Sequence, residues 1–271
     1  MKRLIMAFQF LTIIPIRVQG PVSEKELAGS AAFFPVVGAF EGLTAGSVAF
    51  LTTRLLPEEL AGGLVILSLV VTNGGFHLDG LSDTFDALAI KPSGNGAADI
   101  EKRLFVMKES SIGAIGVTAI VLVILLKVLL LGTLLKNFGD ATPFILVFLM
   151  PIFSKWTMIP FMYHGTPARR DGLGRIFIDA AVRETLLLPT LFLIIFCATA
   201  SLCVSPGTHR MNMTVLLLFL AAMHYLLCIV LVRFLKIRFG GLTGDHFGAL
   251  NEISELLFLM SAALWLRLYT S

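Results

Sequence analysis

Residues 60–90 read LAGGLVILSLVVTNGGFHLDGLSDTFDALAI, an apolar run that passes directly into a stretch with three carboxylates and no lysine or arginine. Taken as a helix, the stretch spaces Asp79, Asp83 and Asp86 at i, i+4 and i+7, on one narrow face. Like charges this close call for a compensating cation. An all-oxygen donor set with room for water and phosphate suits a hard divalent ion, Mg²⁺ before Ca²⁺ and well before Zn²⁺. Gly74, Gly75 and Gly80 allow a turn or a close backbone approach. A solvated acidic helix end would show the same spacing, but ionisable groups at the edge of an apolar run are functional candidates by default.

Working outward, the composition fixes the class. The chain is 56% hydrophobic and 14% charged, with a mean hydropathy of +0.89, whereas roughly a quarter of the residues of a soluble domain are charged. An all-α, polytopic membrane bundle follows: about seven spans and a short N-terminal interfacial helix, in a single catalytic domain over residues 1–271. The apolar runs approach the ~20 residues that a spanning helix needs and lack the alternation of barrel strands. A net charge of +3 makes no case for nucleic acid. Cys197, Cys203 and Cys228 lie in apolar runs without metal or disulfide spacing. No cleavable signal is evident at the N-terminus.

In chain order, 4–16 is too short to span and reads as the interfacial helix. The spans are 28–55, 60–72 running on into the aspartates, 112–135, 142–162, 184–204, 213–233, and a last one from the 239–257 motif to about residue 269. Gly38, Gly42 and Gly46 set up close helix packing. Glu41 in the same span is either a hydrogen-bonding partner for a neighbouring helix or a pocket residue, and the cost of burying it favours the pocket. Lys155 lies near mid-span and is a second pocket candidate, whereas Lys127 is placed to snorkel. The two long polar segments, 91–113 and 164–183, carry Lys102, Lys108 and Arg175, which we expect to neutralise substrate phosphate. The string GGLTGD at 240–245 puts Thr243 and Asp245 at a helix start, where unpaired backbone N–H groups favour phosphate.

Placing the aspartates in the cytosol puts fifteen of the 21 basic residues on that side, against Arg54, Lys136, Arg210 and Arg267 on the other. This satisfies the positive-inside rule and opens all three polar, glycine-bearing segments to one compartment. The expected location is therefore the cell inner membrane, multi-pass, with the site facing the cytoplasm.

The motifs together carry a specific likeness. FQFLTIIPI, FFPVVGAFEG, GGFHLDGLSDTFDA, MKESSIGAIG, DGLG at 171–174 and GGLTGDHFGALNEISEL occur in the order and at the separations of the cobalamin synthase family. The chain resembles these adenosylcobinamide-GDP ribazoletransferases over nearly its whole length. The resemblance implies that α-ribazole, or its 5′-phosphate, displaces GMP from adenosylcobinamide-GDP with Mg²⁺. It places metal on Asp79, Asp83 and Asp86, a general base at Asp86, His77 on a phosphate or carboxylate or capping the helix entry, and Asp245 at the substrate. It is compatible with a homo-oligomer or an assembly with other enzymes of that pathway. Ser111 stands where the family has an arginine, Glu109 where it has aspartate, and Ala87 where glycine is common. Two rival readings stay open. A CDP-alcohol phosphotransferase would cluster aspartates similarly, but Asp79-Gly80 is not followed by the Ala-Arg of its pattern; a secondary transporter would use Glu41, Lys155 and the aspartates as an ion path.

Overall fold

The computed structural model describes residues 1–109, 111–136, 141–204 and 208–270. Ser110 of the MKESSIGAIG motif, most of the link expected at 136–141 and part of the connection expected at 205–212 lie outside these residues. Among the described residues there is no strand, only one bridge between Pro167 and Leu242, so the all-α expectation holds.

The N-terminal helix α1 (Lys2–Leu11) is short. A capping box between Ser23 and Glu26 starts α2 (Glu24–Ala28), which runs through a 3₁₀ turn into α3 (Phe34–Thr52). Then come α4 (Glu58–Asn73), α5 (Phe76–Leu88), α6 (Gly96–Val106), α7 (Ala114–Leu135), α8 (Thr142–His164), α9 (Leu173–Asp179), α10 (Leu187–Cys203), α11 (Thr208–Phe239) and α12 (Gly244–Thr270). Among the described residues six helices are long and apolar enough to cross a membrane, and counting the bent pair α4 and α5 as one span gives up to seven. The polar segments hold short helices, α6 and α9.

The hub is α8, buried nearly all round and packed by α3, α10, α11 and α12. Its contact with α3 is backbone on backbone. A Cβ on Gly38 would stand 2.5 Å from the Pro151 carbonyl oxygen, and one on Gly42 would overlap that of Phe148, whereas Gly46 has room. Two of the three expected glycines thus set the crossing.

The run from α4 into the aspartates does not stay straight. Gly74 and Gly75 both take left-handed backbone, with φ of +68° and +75°, and the Gly75 N–H donates to Asn73 Oδ1 at 2.9 Å. The chain turns by 92° here, so α5 lies across the end of the bundle.

Inside the bundle the charged side chains pair with one another. Lys155 Nζ lies 2.8 Å from Glu41 Oε2 and donates to Asn251 Oδ1 at 2.9 Å. Asn251 Nδ2 donates to Glu255 Oε1 at 2.9 Å, and Lys127 Nζ holds Glu252 at 2.6 Å and Glu255 at 2.7 Å. None of these side chains is more than 5% exposed. Glu41 and Lys155, expected at the substrate, face each other across α3 and α8, because an ion that cannot reach water must find a partner. Lys127 does not snorkel, for the same reason. Removing one member strands its partners: Lys127→Met should lower unfolding stability in detergent by about 3–5 kcal/mol, and adding Glu252→Gln and Glu255→Gln should restore most of it. Equal melting of Lys127→Met and the unaltered protein would refute this role.

Candidate active site

The site forms where α5 crosses the start of α12. A Cβ on Gly80 would overlap the Asp245 carbonyl oxygen, and one on Gly248 would stand 3.0 Å from that of His77. No residue with a side chain fits at Gly80 without separating the helices. The close approach sets Asp79 and Asp83 beside Asp245, and Asp83 lies in the electrostatic field of Asp79, Asp245 and Asp86, opposed by Arg169.

The loop ahead of α12 is tied to the one after α8. Leu242 N–H donates to the Thr166 carbonyl at 2.8 Å, and Ala168 N–H donates to that of Leu242 at 2.9 Å. Glycine again permits the approach: a Cβ on Gly174 would stand 2.8 Å from the Gly244 nitrogen. Thr243 N–H donates to His246 Nδ1 at 3.0 Å, and Thr243 Oγ1 donates to Asp245 Oδ2 at 3.2 Å. Arg169 puts Nη1 4.0 Å from Asp245 Oδ2 while Nη2 donates to the Leu104 carbonyl at 2.9 Å.

These elements, with α1 and the starts of α3 and α9, enclose a cavity of about 510 Å³. Of the expected site residues, His77, Asp79, Arg175, Thr243 and Asp245 line it, and so do Arg169 and Asp171, which were not singled out. Arg175 is braced by Glu24 at 3.4 Å and Asp179 at 3.8 Å. Lys108 reaches the mouth, 4.0 Å from Asp171, whereas Lys102 is exposed on α6 and does not line the cavity. His77 is buried, and its Nε2 has no hydrogen-bond partner among the described residues.

Asp86 departs most from expectation. Its Oδ2 accepts the Gly113 N–H at 2.7 Å and its Oδ1 the Gly116 N–H at 2.8 Å. It shares the face of Asp79 and Asp83, but both of its oxygens are engaged at the start of α7, where a carboxylate meets unpaired amides and the positive end of the helix dipole. Neither Asp86 nor Asp83 lines the cavity, and Asp79 is the aspartate of α5 that does.

Among the described residues no three His, Cys, Asp or Glu side chains converge tightly enough to hold a metal unaided. The oxygen donors Asp79, Asp83 and Asp245 still fit Mg²⁺, which typically takes one or two carboxylates and completes its shell with water and substrate phosphate.

A family model described as cobalamin-5-phosphate synthase matches residues 3–263. The chain belongs to the cobalamin-5-phosphate synthase family. Within that family it is 34% identical to the adenosylcobinamide-GDP ribazoletransferase of Thermodesulfovibrio yellowstonii, over 100% of this chain and 99% of the relative. It is 33% identical to that of Desulfitobacterium hafniense, over 97% and 96%. No solved structure matches.

For this cobalamin-5-phosphate synthase family member the two central aspartates should behave oppositely. Asp86→Asn should cost about 1–2 kcal/mol of stability, because an amide cannot accept at both positions. Asp83→Asn should raise the melting temperature in EDTA, because it relieves like-charge repulsion. Thermal unfolding of both variants in EDTA checks this, and destabilisation by Asp83→Asn would refute the repulsion.

Proposed function

We propose that the chain is an adenosylcobinamide-GDP ribazoletransferase: α-ribazole, or its 5′-phosphate, displaces GMP from adenosylcobinamide-GDP to give adenosylcobalamin or its 5′-phosphate. The observation that carries this reading is the joining of acids from α5 and α12 with Arg169 and Arg175 around one cavity, in a chain whose relatives carry that name.

A ribazole hydroxyl oxygen forms a bond to the phosphorus that bears cobinamide, and the bond from that phosphorus to the oxygen bridging to GMP breaks. Arg169 and Arg175 neutralise charge on the diphosphate and on the departing GMP oxygen. Asp79 and Asp245, which line the cavity, would hold Mg²⁺, and Mg²⁺ would supply further charge neutralisation across the diphosphate. With both oxygens of Asp86 engaged by backbone amides, Asp83, one turn along α5 from the cavity-lining Asp79, takes the hydroxyl proton. The positive-inside asymmetry supports a site open to the cytoplasm across the inner membrane.

Purified protein given adenosylcobinamide-GDP, α-ribazole and Mg²⁺ should release GMP and form cobalamin, and EDTA should stop it. Asp83→Asn should lower kcat at least about a hundredfold, the range for losing a general base. Unchanged turnover in Asp83→Asn would remove it from the chemistry.

A further inference from the structure

The cavity has two unlike ends. Its charged residues, Asp79, Arg169, Asp171, Arg175 and Asp245, are exposed or partly exposed. Its buried lining is mostly apolar: Phe34, Met158, Met162 and Phe177 are each at most 3% exposed, beside His77 and Thr243. Three rings meet there. Phe10 stacks on Phe34 with centroids 5.9 Å apart and planes at 15°, and Phe177 lies 5.0 Å from Phe10 and 5.7 Å from Phe34. We infer that this inner end seats the flat, fused-ring base of the incoming nucleoside, and that the charged rim takes the diphosphate. The inference rests on the transfer reaction proposed above.

Size and polarity choose the occupant. A volume of about 510 Å³ lies in the range that encloses a ligand of nucleoside dimensions, whereas a corrinoid-bearing dinucleotide must remain largely outside. Both substrates carry an aromatic base, but guanine presents several donors and acceptors along one edge. Against rings and thioethers these would stay unpaired, at a cost of roughly 1–3 kcal/mol each. The benzimidazole of α-ribazole is apolar apart from one ring nitrogen free to accept, and it suits aromatic edges and polarisable sulfur. His77 lines the same cavity, and its Nε2 has no partner among the described residues, which leaves it available to that nitrogen. A base seated here holds its ribose between the apolar floor and the acids of α5 and α12, where the attacking hydroxyl is needed.

Steady-state kinetics of Phe177→Leu, which removes a ring, and of Met158→Trp, which fills the floor, test this. Each should raise KM for α-ribazole about tenfold or more and leave KM for adenosylcobinamide-GDP within about twofold, so the second constant also reports an intact fold. A rise in KM for adenosylcobinamide-GDP with that for α-ribazole unchanged would place guanine on the floor and overturn the assignment. Unaltered KM for both substrates would overturn it as well. No cobalamin from the unaltered protein would instead sink the reaction itself. Calorimetric titration of free α-ribazole then decides the seat without turnover: binding to the unaltered protein and not to Met158→Trp supports it, and equal binding or none overturns it.

Discussion

The whole site hangs on one steric constraint, the absence of a side chain at Gly80. Because α5 can press its backbone against the Asp245 carbonyl, carboxylates 166 residues apart in sequence share one cavity wall. Helices that meet through side chains stand 8–10 Å apart, and a side chain at position 80 would force α5 away from the start of α12. The paired left-handed glycines at 74 and 75 matter for the same reason: without that turn α5 would continue the line of α4 and miss α12.

The position of α12 is fixed farther along its length. Asp245, Gly248, Asn251, Glu252 and Glu255 recur at three- and four-residue intervals, so one helix face first meets α5 and then enters the buried ion network. A carboxylate in an apolar bundle tolerates few arrangements, and each buried one here has an ammonium within 2.8 Å. The network therefore specifies rotation and depth for α12 more sharply than packing of leucines would, and rotation and depth decide where Asp245 arrives.

This division explains what could be read from the sequence. The spans, the acidic face of α5, the close-packing glycines of α3 and the glycine-bearing start of α12 are local patterns, and each was legible. Which helix stands opposite a given face is not local. Glu41 and Lys155 looked like pocket residues because the cost of burying each was visible while the partner, 114 positions away, was not. Asp86 has the same spacing as Asp79 and Asp83, and only the placement of Gly113 and Gly116 reveals a different use. Arg169 stood among several loop arginines, and nothing in the order of residues set it apart. The closing of the cavity by α1 was equally hidden, since a short amphipathic helix reads only as interfacial.

The distribution of charge is itself an argument about function. In the interior, opposite charges are matched at hydrogen-bond distance. At the end of the bundle Asp83 lies in the field of Asp79 and Asp245, and Arg169 stands 4.0 Å from Asp245. A fold that pairs its ions so closely where water is absent leaves them under-compensated at this cavity, where a ligand can enter. Repulsion of this kind lowers stability in the empty protein and is repaid when a bound cation and a phosphate-bearing substrate complete the set, which is the arrangement that binding energy used for catalysis requires.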